Sequence, residues 1–284
     1  MVEVGIVGYT PLNGHPYSFG SIINGFDENI NIQKYPQIEK YLKQNLQYKN
    51  GIMNMQCTHV YCADFEISKD ISSVIKAKSV ENILEFPESL DIALILCDYS
   101  SWRTNLIKEL LKKNIFIFVD KPLVKDFQEL KNYKKDINSK KICSSSMLIH
   151  EPKFEKINNL NDLQKIKITY SGEWENYSSH AIEPIVRLIS KNNLNISKKS
   201  NSSIFLEETN LQVSFIKNKL RNPVFDFDFF YNSGENKKVS IDSNFLTFRS
   251  GLINLKNSFN SKNIYREFNE YVHTLKIFEA LKNE

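Results

Sequence analysis

Apolar residues in the first half of the chain fall into short unbroken runs separated by stretches of helical spacing. Residues 2–7 are almost all apolar, which suits a strand buried on both faces. The run Gly8-Tyr9-Thr10-Pro11-Leu12-Asn13-Gly14-His15-Pro16 is rich in turn formers, and Phe19, Ile22, Ile23 and Phe26 then recur at helical spacing. Pro16 fits the first turn of that helix, where a missing amide donor costs nothing. Residues 27–54 are polar, with Ile38, Tyr41, Leu42 and Leu46 at helical spacing. A strand is expected over Cys57–Cys62, ending in Asp64, and a helix over 70–85. Strands are expected over Ile92–Cys97, Ile115–Val119 and Ile142–Ile149. Between them, Trp102, Leu106, Ile107, Leu110 and Leu111 mark one helix, and Phe127, Leu130 and Tyr133 another. Strand and helix alternating at these distances predict a parallel, doubly wound sheet.

The pattern changes after about residue 148. Ile166–Tyr170 alternates as a half-exposed strand, and Ile182, Ile185, Val186 and Ile189 form a helical stripe. Strand-like stretches follow at 203–207, 211–216 and 224–231, then a turn at Asn232–Asn236 and a short strand at Val239–Ile241. These read as antiparallel hairpins. Phe268, Tyr271, Val272, Leu275, Phe278 and Leu281 mark a final amphipathic helix. The expected fold class is α/β. An N-terminal doubly wound parallel sheet occupies residues 1–148, and a C-terminal α+β domain on an open, mainly antiparallel sheet occupies residues 149–284.

Composition narrows the function classes. The chain has 284 residues, 41% of them hydrophobic and 25% charged, which is ordinary for a globular protein of about two domains. No apolar run approaches the roughly 20 residues that span a bilayer, and the N-terminus has no signal-peptide pattern, so the expected location is the cytoplasm. The net charge of +4 is spread along the chain, with no basic stripe interleaved with aromatics, and nucleic acid is not an expected partner. Cys57, Cys62, Cys97 and Cys143 lack metal or redox spacing and read as buried thiols. No set of His, Cys, Asp and Glu has metal-ligand spacing.

Three places carry candidate chemistry. The first is the loop Gly8–His15 between a strand and a helix, where a dinucleotide pyrophosphate meets free amide donors. The usual G-x-G-x-x-G is absent, so Gly8, Thr10, Asn13, Gly14 and His15 are read either as that cradle or as a plain strand-to-helix turn. Asp64, at the end of the second strand, stands where an acid meets a ribose hydroxyl. The second is Asp120-Lys121-Pro122. Lys121 stands at the carboxyl edge of a parallel strand, where such sheets bind ligands, and a partly desolvated ammonium there can serve a substrate hydroxyl. The same lysine also reads as a solvated strand end. The third is His180, placed at or just inside a helix start, where a neutral imidazole can take a proton from an alcohol or simply cap the helix. His150 is also placed on the substrate side, while His59 and His273 read as structural.

Together these residues resemble the Gfo/Idh/MocA family, the glucose–fructose oxidoreductase and inositol dehydrogenase type. Asp120-Lys121-Pro122-Leu123 is similar to the family's Glu-Lys-Pro motif, with Asp in place of Glu. Residues 176–183 resemble its D-x-G-x-H-x-x-D segment, with Asn176 for the first acid, Ser178 for glycine, His180 retained and Glu183 as the last acid. The resemblance implies an N-terminal Rossmann domain, NAD or NADP as cofactor, and hydride transfer to or from a secondary alcohol of a sugar, cyclitol or nucleotide sugar. It implies that Lys121 contacts the substrate hydroxyl, that His180 shuttles its proton and that Asn176 orients the substrate. Glu183, and Arg103 at a position where many members have histidine, are placed with the substrate, and Asp120 with the cofactor. A homodimer or larger homo-oligomer is expected, because an open sheet leaves one face needing cover. The competing readings are a non-redox sugar or sugar-nucleotide binding protein on the same scaffold and, more weakly, a lyase or epimerase that keeps its cofactor.

Overall fold

The computed structural model describes residues 1–189, 194–200, 202–218, 225–241 and 243–282. In chain order the elements are β1 (Val2–Val7), α1 (His15–Asn24), α2 (Pro36–Lys43), β2 (Met55–Tyr61), α3 (Phe65–Ile75), β3 (Lys78–Ser79), β4 (Ile92–Ile95), α4 (Ser101–Leu111), β5 (Phe116–Asp120), α5 (Phe127–Asn138) and β6 (Ile142–Ser145). They continue as β7 (Leu163–Ser171), α6 (Trp174–Ile189), β8 (Ile196–Ser200), β9 (Ser203–Leu206), β10 (Leu211–Asn218), β11 (Phe225–Tyr231), β12 (Asn236–Ser240), α7 (Asn244–Ser261) and α8 (Phe268–Leu281).

The first compact unit holds Met1–Val124, Tyr133–Ser145 and Asn244–Tyr265. Its sheet has six parallel strands in the order β3-β2-β1-β4-β5-β6. The order reverses between β1 and β4, and that switch point is where open α/β sheets receive ligands. Strands β4 and β6 are buried at every position, as expected of a parallel sheet covered by helices on both faces. All four cysteines lie buried as free thiols. Burial pushes Cys57 and Cys97 up to about 12 and Cys62 to about 11, so these three are neutral at physiological pH.

The second unit holds Lys125–Asn132, Ser146–Ser243 and Arg266–Glu284. Its six-stranded sheet runs β12-β11-β7-β10-β9-β8. Four of its pairings are antiparallel and one, β7 with β10, is parallel. Every second residue of β11, namely Phe225, Phe227, Phe229 and Tyr231, is buried. These side chains form one core with Ile182, Ile185 and Val186 of α6 and Ile277 and Leu281 of α8.

Several elements differ from the sequence reading. The helix expected over 70–85 is α3, which starts at Phe65 because Asp64 caps it, the Glu66 amide donating to its carboxylate at 2.9 Å. It ends at Ile75, where Lys76 turns left-handed. The strand expected over Ile142–Ile149 stops at Ser145 and gives way to a 3-10 turn over Met147–His150. The last expected β-rich stretch begins at Phe225, and Val224 lies outside the described residues. Strands β3 and β8 and helix α7 were not anticipated. Helix α7 has the clearest sequence signal of the three, with Phe245, Phe248, Leu252 and Leu255 buried along one stripe.

That helix also changes the domain division. A single cut at residue 148 assigns 244–265 to the C-terminal domain, whereas this segment belongs to the first unit. The cause is aromatic packing. Phe245 meets Phe26 at 5.9 Å and Tyr48 at 5.6 Å between ring centres, and Phe248 meets Phe19 at 5.1 Å.

Candidate functional site

The candidate residues fall on the two units. In the first unit they gather at the carboxyl edge of the parallel sheet. Gly8 follows β1 with φ of 84°, and a side chain there would meet the Cys97 Sγ at 2.6 Å. Only glycine combines that dihedral with that approach. The loop then reaches Gly14, which precedes α1, with Pro16 in the first turn as expected.

The loop is tied by its own side chains to the ends of β4 and β5. The Asp98 amide donates to Thr10 Oγ1 at 2.9 Å. Asn13 Nδ2 donates to Asp98 Oδ1 at 3.1 Å and to Asp120 Oδ2 at 3.4 Å. The His15 amide donates to Asn13 Oδ1 at 3.1 Å, and His15 Nδ1 lies 2.7 Å from Asp120 Oδ2. The imidazole stacks on Phe19, ring centres 4.9 Å apart. Thr10, Asn13, His15 and Asp120 therefore form one hydrogen-bonded cluster, joined by Asp98, which sequence reading did not single out. Asp98 could have been found as the residue after the apolar run that ends β4.

Asp120 is 4% exposed and its Oδ1 accepts the Lys121 amide at 3.0 Å. The Lys121–Pro122 peptide bond is cis, and the Lys121 side chain is half-buried. Arg103 lies behind this turn, 0% exposed. Its Nη1 donates to the carbonyls of Asp120 at 3.1 Å and Cys97 at 3.4 Å, and its Nη2 to those of Pro122 at 2.6 Å and Leu123 at 3.1 Å. The guanidinium thus braces the backbone that presents Lys121. This corrects the placement of Arg103 with the substrate: a fully buried fork spent on carbonyls has no face to offer a ligand. Asp64 is exposed at the end of β2, as expected, and its Oδ1 accepts the Glu66 amide.

In the second unit His180 lies in the second turn of α6 rather than at the helix start, because the helix already begins at Trp174. Its Nδ1 is 2.7 Å from Ser146 Oγ, and the rings of Tyr177 and Phe225 flank it at 6.0 and 5.5 Å. Asn176 is exposed in the first turn of the same helix. Glu183 is one turn beyond His180 and 2% exposed. Its Oε2 accepts the Ser146 amide at 2.6 Å and pairs with Arg266 Nη1 at 3.1 Å. Arg266 is itself 3% exposed and lies 3.6 Å from Glu270, which in turn meets Arg187 at 2.7 Å. The placement of Glu183 with the substrate is therefore also corrected: its carboxylate is sealed into an internal ion-pair network. His150 closes the 3-10 turn after β6. Burial, helped by the charge of Arg187, pushes its imidazole down to about 3, so it is neutral at physiological pH. Ser146 and Arg266 were missed, since a serine after a strand and an arginine before a helix carry no periodic signal.

Among the described residues, no three His, Cys, Asp or Glu are grouped to hold a metal ion, and no helix is long and apolar enough to cross a membrane.

No protein-family model matches the chain, and no curated protein matches it in sequence. Solved structures do match it in shape. Myo-inositol 2-dehydrogenase from Lactobacillus plantarum superposes with a TM-score of 0.70 at 10% identity, over 99% of this chain and 96% of that one. The 3-ketoreductase KijD10 from Actinomadura kijaniata, in complex with TDP-benzene and NADP, gives 0.68 at 9% identity, over 99% and 97%. GenD2 from gentamicin A biosynthesis, in complex with NAD, gives 0.68 at 8%, over 98% and 92%. With a six-stranded parallel sheet, a second mixed sheet and nearly full-length superposition, the chain has the two-domain fold of the Gfo/Idh/MocA-type dehydrogenases.

Proposed function

We propose that the protein is an NAD(P)-dependent oxidoreductase that transfers a hydride to or from a secondary alcohol of a sugar, cyclitol or nucleotide sugar. The observation that carries this reading is the braced turn after β5. A buried arginine and a buried aspartate fix the backbone on either side of Lys121, at the sheet edge beside the switch point. A lysine needed only for solubility has no use for such a mount. The solved structures that share the fold are named as a myo-inositol dehydrogenase and a 3-ketoreductase bound to NADP, and another is bound to NAD.

The residues present fit a dinucleotide at the switch point. Gly8 brings the backbone close to the end of β4, the first turn of α1 contains no acid, and Asp64 stands at the end of β2. The pyrophosphate would be held with few helix amides, because that of His15 is used by Asn13 and Pro16 has none. The Thr10 hydroxyl and the Gly14 amide supply the remaining donors, while Asn13, whose amide hydrogens go to Asp98 and Asp120, shapes the loop. Asp64 favours NAD over NADP, since its carboxylate repels a 2′-phosphate, and the nearby Lys69 is paired with Glu66 at 2.8 Å. When bound, the nicotinamide supplies the hydride acceptor or donor. Lys121 donates to the substrate oxygen and stabilises the charge that develops there, His180 holds its proton, and Asn176 orients the sugar. Homo-oligomers are supported by the second sheet, whose face opposite α6 and α8 carries Lys165, Lys167, Asp226 and Asp228.

Thermal unfolding with NAD, NADH, NADP and NADPH tests the reading. Nucleotide at 1,000 times its dissociation constant stabilises the native state by about 4 kcal/mol. No shift with any of the four removes the proposal. Once a nucleotide is found to bind, Lys121→Ala and His180→Gln are expected to lower turnover of polyol or keto-sugar substrates by about 100-fold or more at unchanged nucleotide affinity. Nucleotide binding without turnover of any such substrate points instead to the non-redox binding protein.

A further inference from the structure

Helix α6 grips the residue after β6 at two points. Three positions apart on one helix face, His180 meets the hydroxyl of Ser146 at 2.7 Å and Glu183 accepts its amide at 2.6 Å. Glu183 is held in turn by Arg266 at 3.1 Å, both side chains 2% exposed. Ser146 also caps the 3-10 turn over Met147–His150, its Oγ accepting the Leu148 amide at 3.1 Å. A cap alone leaves the remaining lone pair of Oγ for any neighbour. Here that neighbour is one ring nitrogen of the imidazole to which the proposed function gives the proton.

We propose that Ser146 is a positioning residue: its Oγ accepts the Nδ1–H of His180 and so reserves Nε2 as the atom that exchanges a proton with the substrate, while the buried Glu183–Arg266 pair fixes Ser146 in place.

The chemistry of imidazole requires one such partner. A neutral ring carries a single N–H, and the unprotonated nitrogen is the base. If Nδ1 carries the hydrogen, Nε2 has the free lone pair. In oxidation, Nε2 takes the hydroxyl proton and the ring becomes imidazolium, still donating from Nδ1 to Ser146. In reduction, the same Nε2–H returns its proton to the forming hydroxyl. Ser146 Oγ has two lone pairs, enough for the Leu148 amide and His180 Nδ1–H together. The carboxylate further along the helix accepts the Ser146 amide. Its role is to hold the serine, and its charge is balanced by Arg266 so that it can remain ionised in the interior.

The inference rests on the reading that His180 carries the proton, and its test is chosen to be separable from that reading. Two-bond 1H–15N correlation of the 15N-labelled protein, above the pH at which its histidines titrate, distinguishes the tautomers of each imidazole, and His180→Gln assigns the signal. The expected result is His180 with hydrogen on Nδ1 and a bare Nε2. Ser146→Ala is expected to move it towards the Nε2–H form and Ser146→Thr to restore the wild-type pattern. With substrate, Ser146→Ala is expected to lower kcat roughly ten-fold at similar KM. An Nε2–H tautomer in the wild-type protein overturns the proposal even if the alanine variant fails to fold, and so does a tautomer that Ser146→Ala leaves unchanged. If the tautomer is as stated but His180→Gln retains turnover, the functional reading fails, and with it Nε2 as the exchanging atom, while the hold of Ser146 on Nδ1 stands.

Discussion

Arg103 shows how far a residue's role depends on where its side chain ends. In sequence it is one cation near a helix start; in the fold it donates to four carbonyls with no exposure. Removing it strands carbonyls in the interior, each worth about 1–3 kcal/mol. Arg103→Leu is therefore expected to destabilise the protein by about 3 kcal/mol or more in urea unfolding, and Arg103→Lys, which cannot span the four acceptors, by somewhat less. His150 makes the matching point about charge. Its folded pKa of about 3 lies below the ordinary 6.5, so between those values the unfolded chain binds a proton that the native state does not. Stability from this group is complete above about pH 6.5 and is lost as pH falls towards 3. His59 and His273 are shifted in the same direction, chiefly by burial. Urea midpoints measured from pH 7.5 to 5 are expected to fall, and His150→Gln is expected to flatten that fall; an unchanged slope refutes the burial of this imidazole.

At the scale of elements, the parallel strands were legible because burial on both faces forces near-continuous apolar runs, as in Ile92–Ile95 and Phe116–Val119. Helix boundaries were less legible. Helix α3 begins where Asp64 caps it, and α6 begins eight residues before its apolar stripe, so His180 moved from the helix start to the second turn. Helix α7 was missed although its stripe was present, because Asn and Ser between the apolar positions lower its contrast with a loop. Its aromatic residues hold it to the parallel-sheet unit. Phe245, 0% exposed among Phe26, Tyr41 and Tyr48, anchors it. Phe245→Ala is expected to cost about 3–5 kcal/mol by chemical denaturation, and a cost below 1 kcal/mol would place α7 elsewhere.

For the whole molecule, the proposed function depends on the sheet order. The order β3-β2-β1-β4-β5-β6 puts the Gly8 loop and the Lys121 turn at one edge, and no residue type encodes that adjacency by itself. The proposed homo-oligomer is checked by sedimentation at micromolar concentration, which is expected to return at least twice the 33.1 kDa chain mass. A species of single-chain mass sinks that part of the reading. If it assembles, charge reversal at Lys167 and Asp228, which are paired across β7 and β11, is expected to weaken the assembly when made singly and to restore it in part when made together.

The sequence by itself determined the alternation of strands and helices, the parallel sheet, the turn at Lys121 and the positions of Gly8 and Asp64. These are written in local periodicity and turn chemistry, which act over a few residues. Tertiary structure alone decided that Arg103 and Glu183 face inward, that Ser146 and Arg266 stand behind His180, and that residues 244–265 return to the first unit. Most of those contacts join residues from 17 to more than 200 positions apart. They are set by which side chains share a low-dielectric interior, where a charge must find its partner, and no short stretch of sequence contains that information.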